Sequence, residues 1–182
     1  MALLLSLGSV NADFQVRIDR PPAPSETLVA SAFARMGGGK AANRALVARR
    51  LGLEARLFGH VGADDLAEQA LAALAEAGVA LAGLRRLTRA GTAVSLITVP
   101  PDGRKGIVLA PLANDDWTEA EAEETTAAVA AAPPAAALAL DAEIPPWAAE
   151  RALRAAGDRL TVLDPSPADR ATPALLRAAS WP

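Results

Sequence analysis

The 182 residues carry 18 Lys+Arg against 21 Asp+Glu, a net charge of −3, with one histidine and no cysteine. Those counts exclude disulfide scaffolds, thiolate zinc sites, cysteine nucleophiles and multi-histidine metal sites. The near-neutral balance argues against a nucleic-acid or anionic-membrane surface as the main partner. The length suits one α/β domain able to bury its own core, and no apolar run approaches the ~18–20 residues of a membrane span. Met1–Val10 is apolar but lacks a basic leading segment, so it reads as a first strand and not a signal peptide. A soluble, cytoplasmic protein is expected.

Leu3–Leu7, closed by Gly8-Ser9, has the pattern of a buried parallel strand. Phe14, Val16 and Ile18 alternate with Gln15, Arg17 and Asp19, which gives one wet face, before Pro21, Pro22 and Pro24 break the run. Leu28, Val29 and Phe33, within Thr27–Met36, supply a second exposed-face strand. Gly37-Gly38-Gly39 opens a helix that stops at Gly52, and Ala55–Phe58 is the next strand. Asp64-Asp65 caps a helix with Leu66, Ala70, Leu71, Leu74 and Ala77 on one stripe, ended by Gly78.

Thr92–Val99 and Arg104–Leu109 flank Pro100-Pro101-Asp102-Gly103, a hairpin signal. Thr118 caps a helix to Ala130, followed by a strand at Ala136–Leu140, a helix at Pro145–Ala156, a strand at Leu160–Leu163 and a helix at Thr172–Ala179. The buried strands build a parallel sheet, and the half-polar ones form a small separate sheet. The expectation is a core with a lid, the lid strands lying at about 12–36 and 91–110 of a single domain spanning 1–182. A helix in this rhythm should feed another strand, so the pattern is expected to be cut at Ser180-Trp181-Pro182.

Three glycines ahead of a helix bring backbone N–H groups close to a ligand at the positive end of the helix dipole. Lys40 adds a mobile charge, and Asn43 lies one turn on, facing the same way. Such a nest suits a phosphate or a polyhydroxylated ligand. Gly37-x-Gly39-x-x-Ala42 formally fits a dinucleotide fingerprint, but that loop should follow the first buried strand. A Walker A loop fails, because Ala41 stands where Ser or Thr should meet magnesium.

Gly38-Gly39-Lys40-Ala41-Ala42-Asn43-Arg44-Ala45, with Gly52 and Gly62 at the expected spacings, resembles the N-terminal signature of the ribokinase-like (PfkB) carbohydrate kinases. Gly8-Ser9-Val10-Asn11-Ala12-Asp13, Gly62-Ala63-Asp64-Asp65, Ala142-Glu143-Ile144-Pro145 and Leu163-Asp164-Pro165-Ser166-Pro167-Ala168 resemble further motifs of that family, in order along the chain. Leu112-Ala113-Asn114 departs from the Gly-Ala-Asn usual in ribokinases.

The resemblance implies a Rossmann-type parallel sheet flanked by helices with a β lid, and an ATP- and Mg2+-dependent kinase acting on a primary hydroxyl of a small sugar. It implies sugar contacts from Asn11, Asp13, Gly38, Gly39, Lys40, Asn43 and Glu143, with Ser95 and Ile97 facing the sugar from the lid. It also implies a homodimer through the lid strands. The ATP site, the Asn-x-x-Glu motif and the Gly-Ala-Gly-Asp with its catalytic aspartate are expected beyond residue 182, so the 182 residues alone are expected to be inactive. The alternative is a non-catalytic sugar- or nucleoside-binding remnant of the same fold.

The remaining conspicuous residues have plainer readings. His60 is expected to be a packed or half-exposed loop residue, and Trp117, Trp147 and Trp181 packing residues. Glu119, Glu121, Glu123 and Glu124 read as a solvated helix face. Arg85, Arg86 and Arg89 read as a soluble edge, and Asp115-Asp116 has no spacing that argues for a metal.

Overall fold

A computed structural model describes residues 2–181; Met1 and Pro182, which belong to the first and last segments discussed above, lie outside the described residues. Five parallel strands form the main sheet: β1 (Leu3–Leu7), β4 (Glu54–Gly62), β5 (Ala80–Leu87), β8 (Ala137–Asp141) and β9 (Thr161–Asp164), in the order β5-β4-β1-β8-β9. A second, four-stranded sheet holds β2 (Asn11–Arg17), β3 (Ala32–Gly38), β6 (Ala93–Val99) and β7 (Gly106–Ala110), in the order β3-β2-β6-β7. The separation follows from composition: apolar strands fill the sheet covered on both faces, and the half-polar strands form the lid.

Helices α1 (Lys40–Arg50) and α2 (Asp65–Glu76) cover one face of the main sheet, while α3 (Glu119–Ala130), α4 (Pro146–Ala155) and α5 (Pro173–Ala178) cover the other. β1 shows why both faces are needed. Leu3, Leu5 and Leu7 pack toward α3, α4 and α5, while Ser6 donates its hydroxyl to the Ala41 carbonyl of α1 at 2.8 Å. Helix α1 buries only alanines, Ala41, Ala42, Ala45 and Ala48, which lets its backbone lie close on the sheet. Among the described residues no helix is long and apolar enough to cross a membrane.

From β1 the sheet runs outward to β4 on one side and β8 on the other. The crevice beyond the carboxyl ends of β1 and β8 is therefore a topological switch point, where open α/β sheets bind ligands. In the lid, Phe14, Leu96 and Val108 lie side by side, as do Val16, Phe33 and Thr98. Phe33, Leu96 and Val108 are more than half exposed.

Trp181 hydrogen-bonds as a parallel bridge beside Val162 of β9, so the helix before it does lead back to the sheet edge. Several of the sequence expectations change. The strand expected from Leu28, Val29 and Phe33 begins only at Ala32, leaving Leu28 and Val29 outside it, and Ala80–Leu87, where the sequence pattern suggests no strand, is the edge strand β5. Gly37 and Gly38 are extended residues of β3, leaving Gly39 alone as the turn into α1. His60 is buried inside β4, stacked on Trp117 at 3.9 Å between ring centroids. Burial pushes its imidazole below the ordinary value, against the pull of the Asp116 carbonyl on Nδ1.

The acidic face of α3 is not wholly solvated either. Glu121 is buried and completes a capping box with Thr118, and its carboxylate accepts two hydrogen bonds from Arg89, 32 residues away. Burial works to raise its carboxyl, but the hydrogen bonds from Arg89 and Thr118 win and hold it at about 2. A depressed carboxylate stabilises the fold fully above its unfolded value, about 4.3, and that contribution is lost as pH falls toward about 2. Arg89→Ala should cost about 1 kcal/mol at neutral pH, a figure discounted because the Arg89 side chain is 42% exposed. The variant should also show a shallower loss of stability through that acid window, measured by thermal unfolding across pH. Identical acid profiles for variant and wild type would refute the assignment.

Candidate functional site

The switch-point crevice is walled by three pieces of chain. The first is the turn from β1 into β2, Gly8-Ser9-Val10, which delivers Asn11 and Asp13 on one face of β2. The second is the passage from β3 through Gly39 into α1, and the third is the segment after β8 carrying Glu143. Gly38 lies against Asp13 so closely that a Cβ there would sit 2.1 Å from Asp13 Oδ2. Gly39 has φ +92, and a Cβ on it would meet the Ser9 carbonyl at 2.4 Å. Gly39 therefore has to be glycine, while a side chain at Gly38 would displace the Asp13 carboxylate.

Ser9 occupies the start of α1 from within the chain. Its hydroxyl accepts the Lys40 N–H at 2.9 Å and its carbonyl accepts the Ala42 N–H at 3.3 Å. Two of the N–H groups that made the glycine loop attractive for a phosphate are thus already satisfied. What remains for a ligand is side-chain chemistry.

Lys40 Nζ donates to Glu143 Oε1, a partly buried ion pair that brings the glycine loop to the end of β8. The other oxygen, Glu143 Oε2, is buried without a hydrogen-bond partner, and so is Asp13 Oδ1. Burial is the main reason the Asp13 carboxyl is pushed up. The Ser95 hydroxyl holds it down in part, and the charge on Glu143 raises it further. Two buried carboxylate oxygens without donors are costly and await groups that donate to them.

Beneath this pair lies an acid the sequence reading missed. Asp141, at the end of β8, is fully buried. It accepts from the Ser9 N–H at 3.3 Å, from the Glu143 N–H at 3.1 Å and from Arg44 Nη2 at 2.9 Å, while Arg44 also donates to the Leu7 carbonyl. Burial pushes its carboxyl up and Arg44 pulls it back. A lone acid closing an apolar strand was the one available signal. Asn114, in a 3-10 turn at Leu112–Asn114 after the lid, is a second buried polar residue that links to Asn11.

The structure thus brings together Asn11, Asp13, Gly38, Gly39, Lys40 and Glu143. Ser95 is paired with Asp13 in the lid register and accepts from Asn11 Nδ2 at 3.2 Å. Ile97 lies two residues on along the same lid face, beside Gln15. Asn43 is placed differently. It is exposed and lines a cavity of about 390 Å3 where the flank of α1 meets β1, with Leu4, Arg44 and Val47. A cavity of about 420 Å3 between β5 and α3 contains none of the site's carboxylates.

The family model "pfkB family carbohydrate kinase" matches residues 1–181. The chain is 40% identical over 125 residues to an ATP-dependent ribose-1-phosphate kinase of Halopiger xanaduensis, covering 68% of this chain and 40% of that protein. It is 34% identical over 116 residues to a ribokinase of Bacillus subtilis, covering 64% and 39%. The structure of Arabidopsis thaliana ribokinase complexed with ribose and ATP superposes with a TM-score of 0.78 at 26% identity, covering 98% of this chain and 59% of that one. The chain therefore spans about two-fifths of each relative in the matched region, and under two-thirds of the solved structure.

Proposed function

Because the chain belongs to the pfkB family of carbohydrate kinases, we propose that its residues form the sugar-holding part of an ATP-dependent ribokinase-type phosphotransferase. The substrate in this reading is a small sugar, ribose first, phosphorylated on a primary hydroxyl. The observation that carries it is the pair of buried, partnerless carboxylate oxygens, Asp13 Oδ1 and Glu143 Oε2, facing one crevice with Lys40 and Asn11. Adjacent hydroxyls donate to the carboxylates and accept from the amide and the ammonium. A ligand lacking one leaves a buried group unpaired, which gives selectivity.

The residues present do not fit a magnesium nucleotide. Among the described residues no three acidic or histidine side chains converge to hold a metal ion, and Ser9 already takes two N–H groups at α1. No phosphoryl-transfer step is assigned to them. In this reading ATP, Mg2+ and the catalytic base belong to residues outside these 182. The same observations favour a second reading, in which the crevice binds a sugar or nucleoside without transferring phosphate. The cytoplasm as compartment, and a dimer meeting through the apolar lid strands around Phe33, Leu96 and Val108, complete the proposal.

Thermal unfolding with ribose tests the binding. At 100 times Kd the fold should gain about 2.7 kcal/mol, and no shift at millimolar ribose would overturn the sugar assignment. ATP-dependent formation of a ribose phosphate then separates the kinase from the binding-only reading.

A further inference from the structure

The buried amides beside the crevice form a chain of hydrogen bonds with one direction. It begins at a backbone donor, whose polarity is fixed: the Val10 N–H donates to Asn114 Oδ1 at 3.1 Å. With its oxygen so engaged, Asn114 turns its NH2 group to Asn11, and Nδ2 donates to Asn11 Oδ1 at 2.8 Å. Asn11 must then turn its own NH2 outward, and it donates to Ser95 Oγ at 3.2 Å. Ser95, whose oxygen is so used, stands opposite Asp13 in the register of β2 and β6. Asn114 is fully buried and Asn11 nearly so, so water cannot reverse either amide at low cost.

We propose that Asn114 is a positioning residue, which locks the amide of Asn11 so that it offers the ligand an N–H donor and never a C=O acceptor. An NH2 group has two protons. One is held by Ser95, leaving one for the ligand, next to the acceptor-only Asp13. The crevice then reads a ligand hydroxyl as acceptor at Asn11 and as donor at Asp13. This inference rests on the sugar-binding reading and specifies the polarity of the same site.

Asn114→Asp tests the direction of the chain. In its protonated form the new carboxyl group accepts from Val10 and donates to Asn11, as asparagine does. An ionised one cannot donate, so Asn11 must flip to donate to it and turns its carbonyl toward Ser95 and the ligand. Burial favours the protonated form well above the usual carboxylate range. The charged or titratable groups near this turn include Asp13 across Asn11, Asp64 held by Thr92 beside Gly91, His60 of β4, and Asp115 and Asp116, which are paired with Arg170 and Arg89.

Ribose affinity is measured for both proteins at about pH 5 and about pH 8, and the variant is compared with wild type at each pH, which removes the titration of groups they share. The expected result is near-wild-type affinity at the lower pH and a loss of about tenfold at the higher. Equal affinities at both pH values, or equal losses at both, would overturn the chain. Wild type that binds no ribose at either pH would instead overturn the sugar reading beneath it. Should the variant not fold, the wild-type protein still decides: NOEs from the Asn11 amide protons to Ser95 support the assignment, and NOEs to the Asn114 side chain in their place refute it.

Discussion

Asp13→Asn should weaken ribose binding by roughly 10- to 100-fold, the usual worth of hydrogen bonds to a charged group, while leaving the unliganded protein at least as stable as wild type. The two halves have one cause. Asp13 Oδ1 is buried without a donor, and burial and Glu143 both push its carboxyl up, so the ionised form is disfavoured until a ligand arrives. For a raised carboxyl, the folded state prefers the proton, so its stabilising contribution is present at low pH and fades as pH rises. Sugar binding, which needs the ionised acceptor, has the opposite dependence. Wild-type affinity should fall on acidification at a pH above the ordinary aspartate range, and the variant should lack that step. Calorimetric titration across pH, beside thermal unfolding without ligand, reads both. A variant that loses stability and keeps its affinity would make Asp13 a structural residue.

Asp141→Ala should be the most damaging single change near the crevice, costing about 3–5 kcal/mol. In a chain of this size that is a fall of about 10 °C or more in Tm. The carboxylate is fully buried and accepts from two backbone N–H groups and Arg44. Its removal strands a largely buried guanidinium and leaves Ser9 and Glu143 N–H groups without acceptors. Asp141→Asn keeps one acceptor and should lose less. Ribose affinity should fall as well, because Ser9 seats α1 and the Glu143 backbone seats the carboxylate that meets Lys40. An alanine variant within about 1 kcal/mol of wild type by denaturant unfolding would refute this account.

Most elements of the core are legible because their signals are local; the exception is the edge strand β5, Ala80–Leu87, where Gly83, Arg85 and Arg86 break up the apolar run. Period-two and period-3.6 patterns mark strands and helices, Thr118 marks a cap, and glycines mark ends. Asn11, Asp13 and the glycine loop are legible for the same reason, each standing at a strand end or helix start. The interactions that hold the site are hidden by sequence distance. Asp141 lies 132 residues from Ser9 and Asn114 lies 103 from Asn11, and no periodicity carries information across such gaps. Glu121 misleads for a related reason: on its own helix it looks like one of several surface acids, and only the fold brings Arg89 to it.

The lid has no continuous stretch of chain of its own. Its two hairpins are joined only where β2 pairs in parallel with β6, residue for residue from Asn11↔Ala93 to Arg17↔Val99. The crossover between those partners runs through β3 and then α1, β4, α2 and β5, a large part of the core itself. Closing so long a loop costs chain entropy, and order in the intervening segment reduces what is left to close. Lid and core are thereby tied together by connectivity: two of the five strands of the parallel sheet, β4 and β5, lie inside the crossover that brings β6 to β2, so the register that sets Asp13 beside Ser95 depends on how that part of the core packs.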